Sequence, residues 1–186
     1  EGSPLKSIKD LVAAIKADPS KVVFGAGGSV GSQDWMKAAL TARATGLDPK
    51  GMRFVAFEGG GEAMTALQGG HVQVYSGDAA EAEEQMKAGA KIRVLAVMAD
   101  KRLEGPLAAV PTMKEQGFDV QWPIVRGFYM GPKVSDADFK VWSDSFSKMM
   151  ATPAFDKLRG ERGLFKFALT GKELDAFIKE RMVAYR

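Results

Sequence analysis

The chain contains no cysteine. That excludes disulfides, a thiol nucleophile and Cys-ligated zinc or iron–sulfur centres. It contains a single histidine, His71. A metal site needing two imidazoles is therefore excluded within the chain, and a histidine base has one candidate. No apolar run approaches the roughly 20 residues that cross a bilayer as a helix. An excess of one charge is also lacking: 26 Lys and Arg stand against 23 Asp and Glu, a formal net charge of +3 over 186 residues. The basic residues are mixed with acids, as in Lys9-Asp10 and Arg159-Gly160-Glu161-Arg162. Neither a dense basic block nor aromatic–basic interleaving is present, which argues against a nucleic-acid partner. Glu1-Gly2-Ser3-Pro4 carries no charged-then-apolar leader pattern.

What is present is ordinary globular composition, 46% hydrophobic and 26% charged, enough for one domain or one and a piece of a second. Ser7-Ile8-Lys9-Asp10 is a capping pattern, and Ile8, Leu11, Val12 and Ile15 follow at helical spacing. Asp18-Pro19 stops that helix. Lys21-Val22-Val23-Phe24 reads as a strand, followed by a glycine-rich turn and a helix from about Ser32. Arg53-Phe54-Val55-Ala56-Phe57 is a second strand with a helix behind it carrying Met64 and Leu67. Val72-Gln73-Val74-Tyr75 is a third, followed by a helix through Ala82 and Met86. Ile92-Arg93-Val94-Leu95-Ala96-Val97 is expected as a fourth strand, apolar enough for the centre of a parallel sheet. The alternation is βαβαβαβ, an α/β pattern with a parallel sheet flanked by helices.

The pattern changes after residue 100, and a boundary is expected near residue 123. Residues 126–132 and 164–169 read as strands. Helices are expected after Ser135, at Thr152-Pro153, and after the Thr170-Gly171-Lys172-Glu173 capping box. Phe139, Trp142, Phe146 and Met149 share one face of the first of these. The ten methionines mostly fall at core spacing and read as packing.

In a parallel sheet all strand C-termini lie on one edge, where open α/β sheets bind ligands. Here that edge collects residues 27–32, 58–61 and 76–78. Two of these loops are glycine-rich and lead into helix N-termini, which suit carboxylate or phosphate oxygens. Ser29, Gly31, Ser32 and Gln33 form the first candidate group, and Glu58, Gly59, Gly60 and Gly61 the second. Asp78 reads as a helix N-cap or as an acceptor for a ligand hydroxyl. Glu58 and Glu62 would repel an anion if they pointed inward, so at least one should point outward or hold a hydroxyl. Arg126 could pair bidentately with a carboxylate, or form a surface salt bridge.

Three enzyme motifs nearly match. Gly27-Gly28-Ser29-Val30-Gly31 fits the G-x-S-x-G turn of a serine hydrolase. His71, however, sits before the third strand and should lie on the edge opposite Ser29. The dinucleotide fingerprint has Val30 at its third glycine, and Glu58 comes later than the usual spacing of roughly 20 residues. The P-loop lacks its Lys-Ser or Lys-Thr. A Ser29 hydrolase and a nucleotide-binding α/β domain stay as alternatives to a non-enzymatic binding protein, and no cofactor or metal is expected.

The run Gly25-Ala26-Gly27-Gly28-Ser29-Val30-Gly31-Ser32-Gln33-Asp34-Trp35-Met36, with Val55-Ala56-Phe57-Glu58-Gly59-Gly60-Gly61-Glu62, resembles the periplasmic substrate-binding component of the tripartite tricarboxylate transporters. The citrate/tricarboxylate-binding type is the nearest. His71-Val72-Gln73-Val74, Ser76-Gly77-Asp78, the 91–97 stretch and Trp122-Pro123-Ile124-Val125-Arg126-Gly127-Phe128-Tyr129 agree with it. Many relatives have Tyr-Lys-Gly at Phe57-Glu58-Gly59 and no arginine at Arg126. The tricarboxylate type shares both departures, which leave the ligand open across the broader family.

The resemblance implies a periplasmic-binding-protein-like fold (type II) whose two α/β lobes close on a small di- or tricarboxylate. It implies export, with a signal peptide outside this chain, and delivery to a membrane permease. It assigns residues 29–33, 58–61 and Asp78 to the second lobe's part of the site. It also implies that residues 4–123 are a complete second lobe and 124–186 the trailing part of the first. The leading half of that first lobe would be absent from this chain. Such a fragment would strand an apolar surface on Trp142, Phe146, Phe165 and Phe167, which a homodimer could cover.

Overall fold

The computed structural model describes residues 2–184. By its contacts the chain divides into two units, Glu1–Val125 and Arg126–Arg186, described separately below.

The first unit opens with α1 (Ile8–Ala17). Ser7 Oγ accepts from the Asp10 N–H, and the Asp10 carboxylate reaches back to the Ser7 N–H at 2.9 Å, closing a capping box. The helix buries Ile8, Leu11, Val12 and Ile15 and ends at Asp18, before Pro19. β1 (Val23–Gly27), β2 (Arg53–Phe57) and β3 (Val74–Tyr75) form one parallel sheet in the order β2-β1-β3. α2 (Gln33–Ala44), α3 (Gly60–Gln68) and α4 (Ala79–Lys87) each follow a strand. The core gathers Ile8, Leu11, Ile15, Val22, Phe24, Ala38 and Met113.

The sheet's centre differs from the sequence expectation. The expected fourth strand over residues 92–97 contributes a single parallel bridge, Val97 to Thr112, and joins no ladder. The central strand is β1. The 92–97 stretch is apolar because Leu95, Ala96 and Val97 are turned inward, the first two against the core cluster. Its carbonyls find partners outside a sheet: Leu95 O accepts from Gln116 Nε2 at 3.0 Å, and Val97 O from the Met113 N–H at 3.0 Å. An apolar run records burial, and burial does not require strand pairing.

The second unit holds α5 (Asp136–Met150), α6 (Pro153–Glu161) and α7 (Gly171–Ala184). Ser135 caps α5 by accepting from the Asp138 N–H at 3.1 Å. Thr152 caps α6 from the Phe155 N–H at 3.2 Å, with Pro153 at the first helical position. Residues 126–132 and 164–169, expected as strands, carry no strand assignment. A strand is defined by its ladder, and among the described residues neither segment has one. No described residue of this unit is buried. Its aromatic side chains pair among themselves instead. Phe128 stacks on Phe146 at 5.1 Å between ring centroids, and Phe167 meets Phe177 edge-on at 4.9 Å. Trp142, Phe165 and Phe167 remain exposed, and Phe146 is half-buried.

Candidate functional site

The register of β1 on β2 brings two loops together. Gly27 is level with Phe57, and the Gly28 N–H donates to Phe57 O at 2.8 Å. A Cβ on Gly27 would stand 3.0 Å from the Gly60 nitrogen and 3.1 Å from the Gly59 carbonyl carbon. Only glycine allows the two backbones to approach this closely. Gly28 and Gly31 turn through positive φ, 79° and 89°. Between them Ser29 and Val30 stand exposed at the loop tip.

The loops deliver the N-termini of α2 and α3 to the same edge. Ser32 Oγ caps α2, accepting from the Trp35 N–H at 3.2 Å and donating to Gly27 O at 3.2 Å. Its hydroxyl is thus committed to the helix end. α3 begins after Gly59 with no side-chain cap. Glu62 Oε2 returns to the Glu58 N–H at 3.3 Å, and both glutamates are exposed. The Gly60 and Gly61 region therefore keeps donors at a positive helix end.

Asp78 stands at the N-cap position of α4, yet its carboxylate makes no capping bond there. Asp78 Oδ1 accepts instead from Lys37 Nζ at 2.8 Å, while Asp34 Oδ1 accepts from the same ammonium at 2.7 Å. Asp78 is thus the α4 N-cap by position, as expected, but its carboxylate pairs with a buried cation and not with the helix N–H groups. Lys37 is 7% exposed. The sequence reading overlooked it, although its i,i+3 spacing from Asp34 was a usable signal. Ser76 Oγ adds a bond to Asp34 O at 2.8 Å, fastening the end of β3 to α2.

Burial raises the Asp34 carboxyl above the usual range, against the lowering pull of Lys37, and Asp78 and Glu81 raise it further. Tyr75 is pushed well above the ordinary phenol value by burial and by its hydrogen bond to the Glu81 carboxylate. That carboxylate lies against the loop: a Cβ on Gly60 would fall 2.5 Å from Glu81 Oε2.

The edge thus assembles Ser29, Gly31, Ser32, Gln33, Glu58, Gly59, Gly60, Gly61 and Asp78. Arg126 belongs to the second unit. His71 is exposed in the turn before β3, at the strand end opposite the Ser29 loop. Among the described residues no histidine base reaches Ser29, so they do not form the triad that a Ser29 hydrolase needs. Among the described residues no group of His, Cys, Asp or Glu could hold a metal ion, and no helix is long and apolar enough to cross a membrane.

The model of the tripartite tricarboxylate transporter family receptor matches residues 1–185. The chain belongs to this receptor family. A curated relative from Cupriavidus necator, the UPF0065 protein in the gbd 5'region, is 26% identical over 181 residues, covering 96% of this chain and 52% of its own length. A ligand-free solute-binding protein of the family from Polaromonas superposes with a TM-score of 0.76 at 24% identity, over 99% of this chain and 61% of that one. An R. palustris protein solved with adipate gives a TM-score of 0.80 at 18% identity, over 100% of this chain and 60% of that one. This receptor-family chain therefore spans about half to three-fifths of the length of these relatives. The structural likenesses establish the fold, an α/β solute-binding-protein architecture. The family model describes a receptor, and the Polaromonas neighbour is described as a solute-binding protein.

Proposed function

We propose that this protein captures a small di- or tricarboxylate, citrate-like in its chemistry, and delivers it to the membrane permease of a tripartite tricarboxylate transporter. The observation that carries the reading is the contact of the two glycine loops at Gly27 and Gly60, with the N-termini of α2 and α3 beside them. Free N–H groups at adjoining helix ends recognise carboxylate oxygens without a dedicated cation. Ser29 and Gln33 supply further donors. Asp78, held by Lys37, accepts from a ligand hydroxyl or an ordered water. In this reading Arg126 pairs with a second carboxylate, the first unit is the receptor's second lobe, and the second unit is the trailing part of the first lobe. The site of action is the periplasm, which agrees with the family and with a neighbour described as a periplasmic transporter.

Glu58, Glu62 and Glu81 are exposed carboxylates on or beside the loops, and each adds repulsion against any ligand carboxylate, which the helix-end N–H groups have to offset. Calorimetry and thermal shift with citrate, tricarballylate, succinate and adipate test the reading on the full-length protein. A ligand at 100 Kd stabilises by about 2.7 kcal/mol. Absence of stabilisation by any of the four acids at millimolar concentration sinks it.

A further inference from the structure

We propose that Trp122 is a positioning residue for the carboxylate-binding edge, setting Gln33 so that its amide presents N–H groups, not oxygen, to the ligand. This rests on the carboxylate reading above. Trp122 Nε1 donates to Gln33 Oε1 at 2.8 Å. An indole N–H is only a donor, so the amide atom facing it must be the carbonyl oxygen. The choice between the two amide orientations, otherwise ambiguous, is thereby fixed by chemistry. With Oε1 engaged, the Nε2 donors point away from the indole, and Gln33 itself is exposed at the first position of α2.

The indole is well placed to impose this. Trp122 is 8% exposed, and its main-chain N–H donates to Met98 O at 2.9 Å. Met98 in turn packs against the core cluster. Gln33 alone is a long polar side chain with several rotamers, and ordering it on binding would oppose affinity. Its oxygen turned outward would also repel a carboxylate. Trp122 removes both penalties before the ligand arrives. The link further joins the last stretch of the first unit, residue 122, to the first turn of the helix that follows the Ser29 loop.

The experiment measures adipate and citrate affinity by calorimetry for the full-length protein and four variants: W122F, Q33A, Q33E and the W122F/Q33A double. W122F keeps a large ring but loses the donor. It should bind about tenfold more weakly, the scale of one hydrogen bond of about 1.4 kcal/mol. Combined with Q33A it should lose little beyond Q33A alone, because the two residues act as one unit. Q33E leaves Trp122 intact and still accepts its N–H, but offers oxygen to the ligand. It should bind more weakly than W122F while unfolding at an unchanged temperature. Wild-type affinity in W122F or in Q33E overturns the proposal, as do fully additive losses in the double variant. If neither acid binds the wild-type protein, the carboxylate reading fails and takes this inference with it. Binding that is intact in all variants removes the Trp122 role alone.

Discussion

Lys37 Nζ lies 2.8 Å from Asp78 Oδ1 and 2.7 Å from Asp34 Oδ1, joining the first turn of α2 to the start of α4. One buried ammonium thus holds two of the three helices that follow the sheet strands. The carboxylates are only partly shielded, with side-chain exposures of 19% for Asp34 and 21% for Asp78, against 9% for Lys37. Their mutual repulsion is what the ammonium offsets.

Removing that ammonium should be costly. Lys37→Ala leaves two close carboxylates without their cation, and loss of roughly 2–3 kcal/mol is expected, at the low end for a broken buried pair. Adding Asp34→Asn and Asp78→Asn to Lys37→Met should restore most of it, since no unpaired charge then remains. Urea unfolding of the single and triple variants checks this. Equal destabilisation in both would assign the loss to packing instead of charge.

The same cluster sets a pH dependence. The Asp34 carboxyl is raised above its ordinary 3.8, chiefly by burial. The folded state therefore holds its proton more tightly than the unfolded chain, and this contribution is present at low pH and fades as pH rises through the raised value. Asp10 behaves oppositely. The Lys6 N–H, then the Ser7 hydroxyl, hold it below 3.8, so its contribution is present above that value and is lost as pH falls through the lowered one. Urea midpoints between pH 2.5 and 7 should separate the two. Asp34→Asn should gain on wild type as pH climbs above 3.8, and Asp10→Asn should converge on wild type below it. Parallel curves would contradict both assignments.

The loop contact separates two glycines that look alike in sequence. Gly27→Ala drives a methyl against the backbone at Gly59 and Gly60, which has no side chain to move aside. It should push the loops apart and weaken carboxylate binding by about tenfold or more, as expected when a preorganised site is displaced. Gly61→Ala meets no protein atom within 4 Å and has ordinary φ, so it should leave the loops in place and unfold at an unchanged temperature, although its methyl enters the space offered to the ligand. Calorimetry and thermal unfolding of the two variants side by side read the difference.

The second unit invites a different measurement. Trp142 is 54% exposed and Phe165 54%, with no buried residue among those described in the unit. Exposed aromatic surface of this kind drives association. This 186-residue chain, produced by itself, should elute at an apparent mass that rises with concentration. Trp142→Ser with Phe165→Ser should reduce that rise. Light scattering that reports a monomer at all concentrations would argue against a free apolar face in solution.

The helices were legible in the sequence because their signals are local. Ser7 with Asp10, Ser135 with Asp138, and Thr152 before Pro153 each satisfy end N–H groups within one turn, and the structure uses them as read. Strands were less legible. Residues 53–57 and 74–75 pair with β1, whereas the more apolar 92–97 makes one bridge. Hydrophobicity marks the inside of the protein, but pairing depends on which backbone lies alongside.

The site divides the same way. By itself the sequence determined that glycines and helix starts would meet on one edge, and that no cysteine and no suitably placed histidine would serve it. Both follow from residue identity and chain order. Only the tertiary structure decided that Asp78 turns from its helix to Lys37, that this lysine is buried between two carboxylates, and that Trp122 reaches Gln33 across most of the unit's sequence. Those are long-range pairings of polar groups, set by where desolvated donors find acceptors, and no local pattern encodes them.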